Sequence, residues 1–177
     1  GDPAQRVARA RAVSIYCRAR RVPLIINDDV TLAAAVGADG VHLGGGDATV
    51  AMARQQLGPH AIIGVSCYNQ LLRAAAAAEA GADYVAGGRF FPSRTKPDAV
   101  QAETDLLVRA KQRLQIPLVA IGGITADNGA ALVAAGADLL AVIHGVFGQT
   151  DVKAAARSIA GLFGNAAANH KRTALGV

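Results

Sequence analysis

The tripeptide Gly-Ala-Asp occurs three times in the chain, at residues 37–39, 81–83 and 136–138. Each copy follows a stretch of helix-forming residues and leads into a short apolar run, so each glycine stands where a helix C-cap is expected. The copies are 44 and 55 residues apart, the length of two strand-and-helix units. The repeat therefore predicts alternating strands and helices, with a parallel sheet covered by the helices.

Short, continuously apolar runs mark the predicted strands, because strands buried on both faces of a parallel sheet carry few polar residues. They begin near residues 24, 40, 61, 84, 118 and 139, and one predicted helix, at 5–21, precedes the first. Eight strands close a (β/α)8 barrel, so we predict an α/β fold, a TIM barrel that lacks its first strand, first helix and second strand. The alternative is an open doubly wound sheet. That fold has one early glycine-rich turn, whereas glycines and polar residues follow almost every strand here.

We predict one barrel domain over residues 1–164, since a chain of 177 residues that is 52% hydrophobic can bury a substantial core. Residues 165–177, NAAANHKRTALGV, lack apolar periodicity and are predicted to be a disordered tail. The last helix is accordingly predicted at 152–163, after a last strand at 139–143.

Composition and charge indicate which kinds of ligand or partner the protein can bind. The net charge of +5 suits anionic ligands, but only 4% of the residues are aromatic, which argues against nucleic acid. No apolar run reaches the roughly 18 residues of a membrane span, and the N-terminus is charged rather than a signal peptide. The two cysteines lack CxxC spacing and predict neither a metal knuckle nor a necessary disulfide. These features predict a cytoplasmic protein with no membrane segment.

Polar residues collect at the carboxyl ends of the predicted strands, the face of a barrel that carries reactive groups. Two carboxylates from different strands suit Mg²⁺, which takes waters and phosphate oxygens as its other ligands. Hydroxyls, cationic side chains and backbone amides suit phosphate groups. Arg94 could equally be a solvated neighbour of such a loop. The residues at this face are Asn27, Asp28, Gly44, Asp47, Ser66, Ser93, Arg94, Thr95, Lys96, Gly122, Gly123, Ile143 and His144.

Several of these residues also have a purely structural interpretation. Asp28 and Asp47 suit helix N-caps or turns, where aspartate is common. Gly122 and Gly123 suit a tight strand-to-helix turn. His42, in the sequence VHLG, is interpreted as a packed, hydrogen-bonded residue of the core rather than a catalyst.

Five motifs resemble, in order, the blocks of the thiamine phosphate synthase family: PLIINDDVTLA, GADGVHLGGGD, IIGVS, GADYVAGGRFFPSRTKPDA and IPLVAIGGIT. The match covers residues 23–147. The resemblance implies a TIM barrel transferase with small-molecule substrates. It joins 4-amino-2-methyl-5-(diphosphooxymethyl)pyrimidine to 4-methyl-5-(2-phosphoethyl)thiazole and releases thiamine phosphate and diphosphate. The oligomeric state, including a homo-oligomer, stays open.

The same resemblance implies roles for the polar residues. Asp28 and Asp47 are Mg²⁺ ligands, while Asn27, Ser66 and Lys96 contact the pyrimidine diphosphate and are the predicted catalytic residues. The implied mechanism is a Mg²⁺-assisted dissociative displacement, in which the thiazole nitrogen captures a pyrimidine methyl cation. A histidine at 144 replaces a common serine, so its contact is expected from the backbone amide. The thiazole phosphate is assigned to Ser93, Arg94, Thr95, Gly123, Ile143 and His144.

Two other functions are open. A thiazole tautomerase of the same fold would need no metal-bound diphosphate, so the presence together of Asp28, Asp47, Thr95 and Lys96 argues against it. A non-catalytic phosphate-binding barrel is favoured if the gene lacks the first strands. We expect instead that about 30 further N-terminal residues, the length of a βαβ unit, complete the barrel and supply two basic residues.

Overall fold

Strands and helices alternate along the chain as the repeat predicts. The computed structural model describes residues 2–92 and 100–174, with 165–174 described as backbone only. The strands are β1 (Ile25–Asn27), β2 (Gly40–Leu43), β3 (Ile62–Tyr68), β4 (Tyr84–Gly87), β5 (Leu118–Ile121) and β6 (Leu139–Ala141). The helices are α1 (Pro3–Ala19), α2 (Val30–Val36), α3 (Val50–Leu57), α4 (Leu71–Glu79), α5 (Asp105–Arg113), α6 (Gly129–Ala134), α7 (His144–Phe147) and α8 (Val152–Ala174).

The six strands of the described residues form one sheet in the order β1-β2-β3-β4-β5-β6. The pairs β1–β2, β2–β3 and β5–β6 are parallel. His42 of β2 lies opposite Asn27 on one side and Gly64 on the other. Parallel pairing brings the carboxyl ends of β1, β2 and β3 to the same edge. The predicted α/β class and the six strands in chain order are therefore confirmed.

The glycines of the three repeats adopt the backbone conformation that their position requires. Gly37, Gly81 and Gly136 have φ angles of 58°, 87° and 110°. Positive φ is unfavourable for residues with a Cβ atom, but glycine adopts it readily. Gly37 is the left-handed C-cap of α2. The prediction of helix-terminating glycines is confirmed.

The aspartate of each repeat is hydrogen-bonded to the backbone at the beginning of a neighbouring strand. Its Oδ2 atom accepts a hydrogen bond from a backbone N–H at that position. The bonds join Asp39 to Leu24 at 2.7 Å, Asp83 to Ile63 at 2.7 Å and Asp138 to Leu118 at 2.9 Å. A charged acceptor makes such bonds stronger than bonds between neutral groups. The repeat thus stabilises the amino-terminal edge of the sheet.

Packing divides the described residues into two compact units, each with its own apolar interior. The first comprises residues 2–66 and 74–85, and its largest fully buried side chains are Val41, Leu43, Ile63 and Val85. The second comprises 67–73, 86–92 and 100–174, with Leu107, Leu118, Ala120 and Leu132 buried.

Two boundaries near the end of the chain differ from the sequence prediction. Strand β6 ends at Ala141, before the predicted end at Ile143. Helix α8 passes Phe163, the predicted end of the last helix, and continues to Ala174. The disordered tail at 165–177 stays a prediction. Alanine has the strongest intrinsic preference for the helix, and this preference needs no apolar periodicity. Among the described residues, no helix has both the length and the apolarity to cross a bilayer.

Candidate active site

Two predicted metal ligands converge on one point of the first unit. Gly44 follows β2, and a Cβ atom there would lie 2.9 Å from Oδ2 of Asp47 and 3.6 Å from Oδ1 of Asp28. The N–H of Gly44 also donates to Oδ2 of Asp47 at 2.5 Å. Because glycine has no side chain, both carboxylates can approach this point. The structure therefore brings Asp28 and Asp47 together, as their positions after β1 and β2 predict.

Neither carboxylate is the N-cap of a helix, which was one structural alternative for both. The N-cap of α2 is Asp29, whose side chain accepts from the N–H of Leu32 at 2.8 Å. The N-cap of α3 is Thr49. Capping by these neighbours means that helix stability does not explain Asp28 or Asp47.

Asp28 has an unusual backbone conformation. Its φ of 66° lies in the left-handed region, which costs a side-chain-bearing residue roughly 1–2 kcal/mol. Its N–H donates to the carbonyl oxygen of His42 at 2.8 Å, which continues the β1–β2 pairing past Asn27. The sheet thus holds Asp28 in this conformation, at the end of the strand.

The donor set at Gly44 fits Mg²⁺. Carboxylate oxygens are hard ligands, and Mg²⁺ is commonly held by one or two of them with waters and phosphate oxygens in its other positions. Both carboxylates are exposed, which leaves room for those additional ligands. The described part of the chain has no group of three or more His, Cys, Asp or Glu side chains suited to a metal.

The predicted diphosphate contact Ser66 lies in β3, two residues before the strand ends at Tyr68, and is hydrogen-bonded to His42. The distance between Ser66 Oγ and His42 Nε2 is 2.9 Å, and His42 Nδ1 lies 3.0 Å from the hydroxyl oxygen of Tyr84. The prediction that His42 is a packed, hydrogen-bonded residue is confirmed, but its side chain is half-buried and not fully enclosed in the core. Asn27 ends β1 opposite His42, and its side chain is exposed.

Sequence reasoning did not identify Tyr84 as part of this cluster. Its ring stacks on that of His42 with the centroids 5.5 Å apart, and a Cβ atom at Gly64 would overlap it. Burial raises the pKa of the Tyr84 phenol. The contact joins strands that are distant in sequence, so the glycine of IIGVS was the only available signal.

In the second unit, Gly122 and Gly123 lie against residues 89–92, which precede the predicted phosphate loop in sequence. Their φ angles are 92° and 68°. A Cβ atom at Gly122 would overlap Arg89, and one at Gly123 would overlap the carbonyl oxygens of Phe91 and Pro92. The pair therefore lets residues 89–92 pack closely against the end of β5.

A side chain that the sequence analysis overlooked organises the turn after these glycines. Asn128 Oδ1 accepts from the N–H of Thr125 at 2.8 Å, and its Nδ2 donates to the carbonyl oxygen of Gly123 at 3.0 Å. The tight-turn interpretation of the glycine pair is thus correct. It is compatible with a phosphate role for the Gly123 backbone.

Ile143 and His144 begin the short helix α7 instead of ending a strand. Both side chains are exposed. The carbonyl oxygen of Ile143 accepts from the N–H of Phe147 at 2.8 Å. The His144 ring lies against Gly148, where a Cβ atom would overlap it. The His144 side chain therefore packs along its own helix. This agrees with the expectation that the backbone amide of His144, and not its ring, contacts the phosphate.

Four predicted site residues lie outside the described residues: Ser93, Arg94, Thr95 and Lys96. Their assigned roles stay predictions.

Comparison with known proteins identifies a family over most of the chain. A family model described as thiamine monophosphate synthase matches residues 1–146. The thiamine-phosphate synthase of Azoarcus sp. (strain BH72) is 56% identical over 162 residues, which cover 92% of this chain and 79% of that protein. The enzyme of the same name from Thiobacillus denitrificans is 53% identical, covering 92% and 77%.

A solved structure gives the same result. The thiamine phosphate pyrophosphorylase of Pyrococcus furiosus has a TM-score of 0.84 and 32% sequence identity, covering 94% of this chain and 80% of that one. The resemblance drawn from the five motifs is therefore confirmed.

Proposed function

Since the chain belongs to the thiamine monophosphate synthase family, we propose that Asp28 and Asp47 bind Mg²⁺ together with the diphosphate of an aminopyrimidine substrate. The activity is the one named for the relatives, formation of thiamine phosphate by a transferase. The convergence of both carboxylates on Gly44 carries the proposal. When bound, Mg²⁺ supplies positive charge that stabilises a departing diphosphate.

The chain's own residues complete the binding of the diphosphate. Ser66 donates its hydroxyl proton to an anionic oxygen, and the Asn27 amide donates likewise from the end of β1. By the family resemblance, Lys96 adds a positive charge. As these donors neutralise the leaving group, they favour a dissociative step over attack by the thiazole nitrogen on an intact bond. The bond-forming step needs no general base.

The second unit is proposed to bind the phosphate of the thiazole substrate. Backbone amides at Gly123 and His144 are the donors that its geometry offers, because the His144 ring lies against its own helix. Ile143 supplies exposed apolar surface. Ser93, Arg94 and Thr95 are assigned to the same phosphate by the motif alone.

We also propose that the fold is a (β/α)8 barrel, six strands of which are formed by the described residues. The similarity to the Pyrococcus furiosus enzyme supports a barrel-like arrangement. A cytoplasmic location and a homo-oligomer stay predictions. The tautomerase alternative is less well supported, since it gives no reason for two carboxylates to converge on Gly44.

Direct binding of the ion tests the proposal without relying on activity. Mn²⁺ can replace Mg²⁺ at such sites and is observed by electron paramagnetic resonance. We expect the unmodified protein to bind Mn²⁺ in the presence of inorganic diphosphate, and Mg²⁺ to compete. Asp47→Asn should weaken this binding by about 10-fold or more, because it removes a charged ligand.

Asp105→Asn is the matched control, since Asp105 is exposed and pairs only with Arg109 of its own helix among the ion pairs of the described residues. It should leave Mn²⁺ binding unchanged. Equal binding by Asp47→Asn and by the unmodified protein would refute the metal assignment.

A further inference from the structure

The three side chains His42, Ser66 and Tyr84 form a hydrogen-bonded cluster across β2, β3 and β4 of the first unit. We propose that Tyr84 and His42 are positioning residues that hold the Ser66 hydroxyl in the orientation that donates to the substrate's diphosphate. The inference rests on the proposed role of Ser66. It adds a function for two residues that the proposed reaction does not otherwise use.

The strand register explains how three strands contribute to one cluster. His42 lies opposite Gly64 in the parallel β2–β3 pair. Alternate residues of a strand face the same side, so Gly64 and Ser66 share the side on which His42 stands. Because Gly64 has no side chain, the Tyr84 ring can lie over β3 and reach His42. The imidazole then has Tyr84 at one nitrogen and Ser66 at the other.

The chemistry of the three groups gives this chain of hydrogen bonds a direction. If the Tyr84 phenol donates to Nδ1 of His42, the neutral imidazole carries its proton on Nε2 and donates to Ser66 Oγ. The Ser66 proton is then not used by His42 and can point to an anionic oxygen. In the opposite order, Ser66 would donate to the imidazole and present lone pairs to the anion, which is unfavourable.

The Tyr84 phenol is able to donate in this order. Burial raises its pKa, so the phenol keeps its proton at neutral pH. Phenylalanine would fill the same space over Gly64 and stack equally well on His42. Packing therefore does not explain the Tyr84 hydroxyl group, whereas its hydrogen bond to His42 does.

A double-mutant cycle separates positioning from packing. Tyr84→Phe removes one hydrogen bond and keeps the ring. We expect it to lower kcat/KM for the pyrimidine diphosphate by about 3- to 10-fold, the range that one hydrogen bond contributes. The KM for the thiazole phosphate should not change. In a Ser66→Ala background, Tyr84→Phe should change kcat/KM by less than about twofold, because no hydroxyl remains to be oriented.

Tyr16→Phe is the matched control, because Tyr16 is an exposed phenol of α1; it should leave all kinetic constants unchanged. Two further variants test the histidine. His42→Gln keeps an N–H that can reach Ser66 and should retain more activity than His42→Leu. If thermal unfolding shows that Tyr84→Phe does not fold, the comparison of His42→Gln with His42→Leu tests the inference in its place.

The outcomes distinguish the inference from the role on which it rests. An impaired Ser66→Ala in which Tyr84→Phe has no further effect supports the inference. If Ser66→Ala is impaired but Tyr84→Phe lowers kcat/KM by the same factor in both backgrounds, positioning is wrong and the role of Ser66 stands. Unchanged kinetics in Ser66→Ala would refute both.

Discussion

Aspartates lie at both ends of the strands, and their surroundings differ. At the amino ends, Asp39, Asp83 and Asp138 each accept from the N–H at the start of a neighbouring strand. At the carboxyl ends, Asp28 and Asp47 are exposed and directed to the same point at Gly44. Two like charges so placed repel each other unless a cation accompanies them. The same residue type therefore stabilises the sheet at one end and forms the proposed metal site at the other.

The comparison also explains why the amino-terminal aspartates recur and the others do not. Asp83 and Asp138 follow the same Gly-Ala pair, because each helix returns to the sheet through the same turn. Each carboxylate is also close to a cation, Arg54 at 2.9 Å or Lys111 at 2.6 Å. A site for one ion needs no such repetition.

The largest expected effect is at the carboxyl ends. Asp28→Asn or Asp47→Asn should lower kcat/KM by about 100-fold or more, since each removes a carboxylate charge from the proposed metal site. The free energy of unfolding should change little, or rise by about 0.3 kcal/mol, because repulsion between the two carboxylates is relieved. Steady-state kinetics and urea unfolding measure both quantities. Loss of folding with normal activity in the folded fraction would contradict the comparison.

Asp138→Ala should show the opposite behaviour at the amino ends. The carboxylate accepts from the N–H of Leu118 at 2.9 Å and pairs with Lys111. Its removal leaves the Leu118 N–H without this acceptor, so the free energy of unfolding should fall by about 2 kcal/mol. The value of kcat, measured well below the unfolding midpoint, should be unchanged. A loss of kcat without a loss of stability would place Asp138 in the functional machinery.

Local signals were sufficient for most of the fold. The Gly-Ala-Asp repeat and the apolar runs indicated the strands in their order, because a buried parallel strand has a distinctive composition. Helix α8 was the exception, since alanines extend a helix without the amphipathic pattern on which the prediction relied. The two carboxylates at Gly44 were also predictable, because residues that follow neighbouring parallel strands meet at one edge.

The cluster around Ser66 could not be predicted in the same way. Tyr84 reaches His42 across β3 only because Gly64 is a glycine, and nothing in the local sequence connects these residues. Asn128 was missed for a related reason: an asparagine in a loop has many structural uses, and its bonds to Thr125 and Gly123 depend on the turn geometry. Contacts between distant residues require the three-dimensional register.

Ser66 and Cys67 are consecutive residues near the end of β3, and we expect one to affect activity and the other stability. Cys67 is buried, and burial raises the pKa of its thiol from 9.0 to about 11, an effect that Arg73 partly opposes. The unfolded chain then loses this proton at a lower pH than the folded one. The contribution of Cys67 to stability is therefore complete below pH 9 and declines between pH 9 and 11, by at most about 1.4 kcal/mol per pH unit.

Urea unfolding at pH 8 and pH 10 measures this decline. Cys67→Ala should show a smaller loss of stability over that interval than the unmodified protein, while Ser66→Ala should show the same loss. If the two variants and the unmodified protein decline equally, the thiol does not remain protonated in the folded state.

The smallest effect is expected for Lys111→Met, which removes the ion pair of Asp138 and keeps its bond to the strand. Lys111 Nζ lies 2.6 Å from Oδ1 of Asp138, but the side chains are 48% and 36% exposed. Pairs of this exposure contribute roughly 0–1 kcal/mol, because water screens the charges and ordering the long side chain costs entropy. We therefore expect the free energy of unfolding to fall by less than about 0.5 kcal/mol, and by still less at 1 M salt. Urea unfolding of Lys111→Met beside Asp138→Ala measures the difference. A loss as large as that of Asp138→Ala would mean that the ion pair, and not the carboxylate-to-strand bond, fastens this end of the sheet.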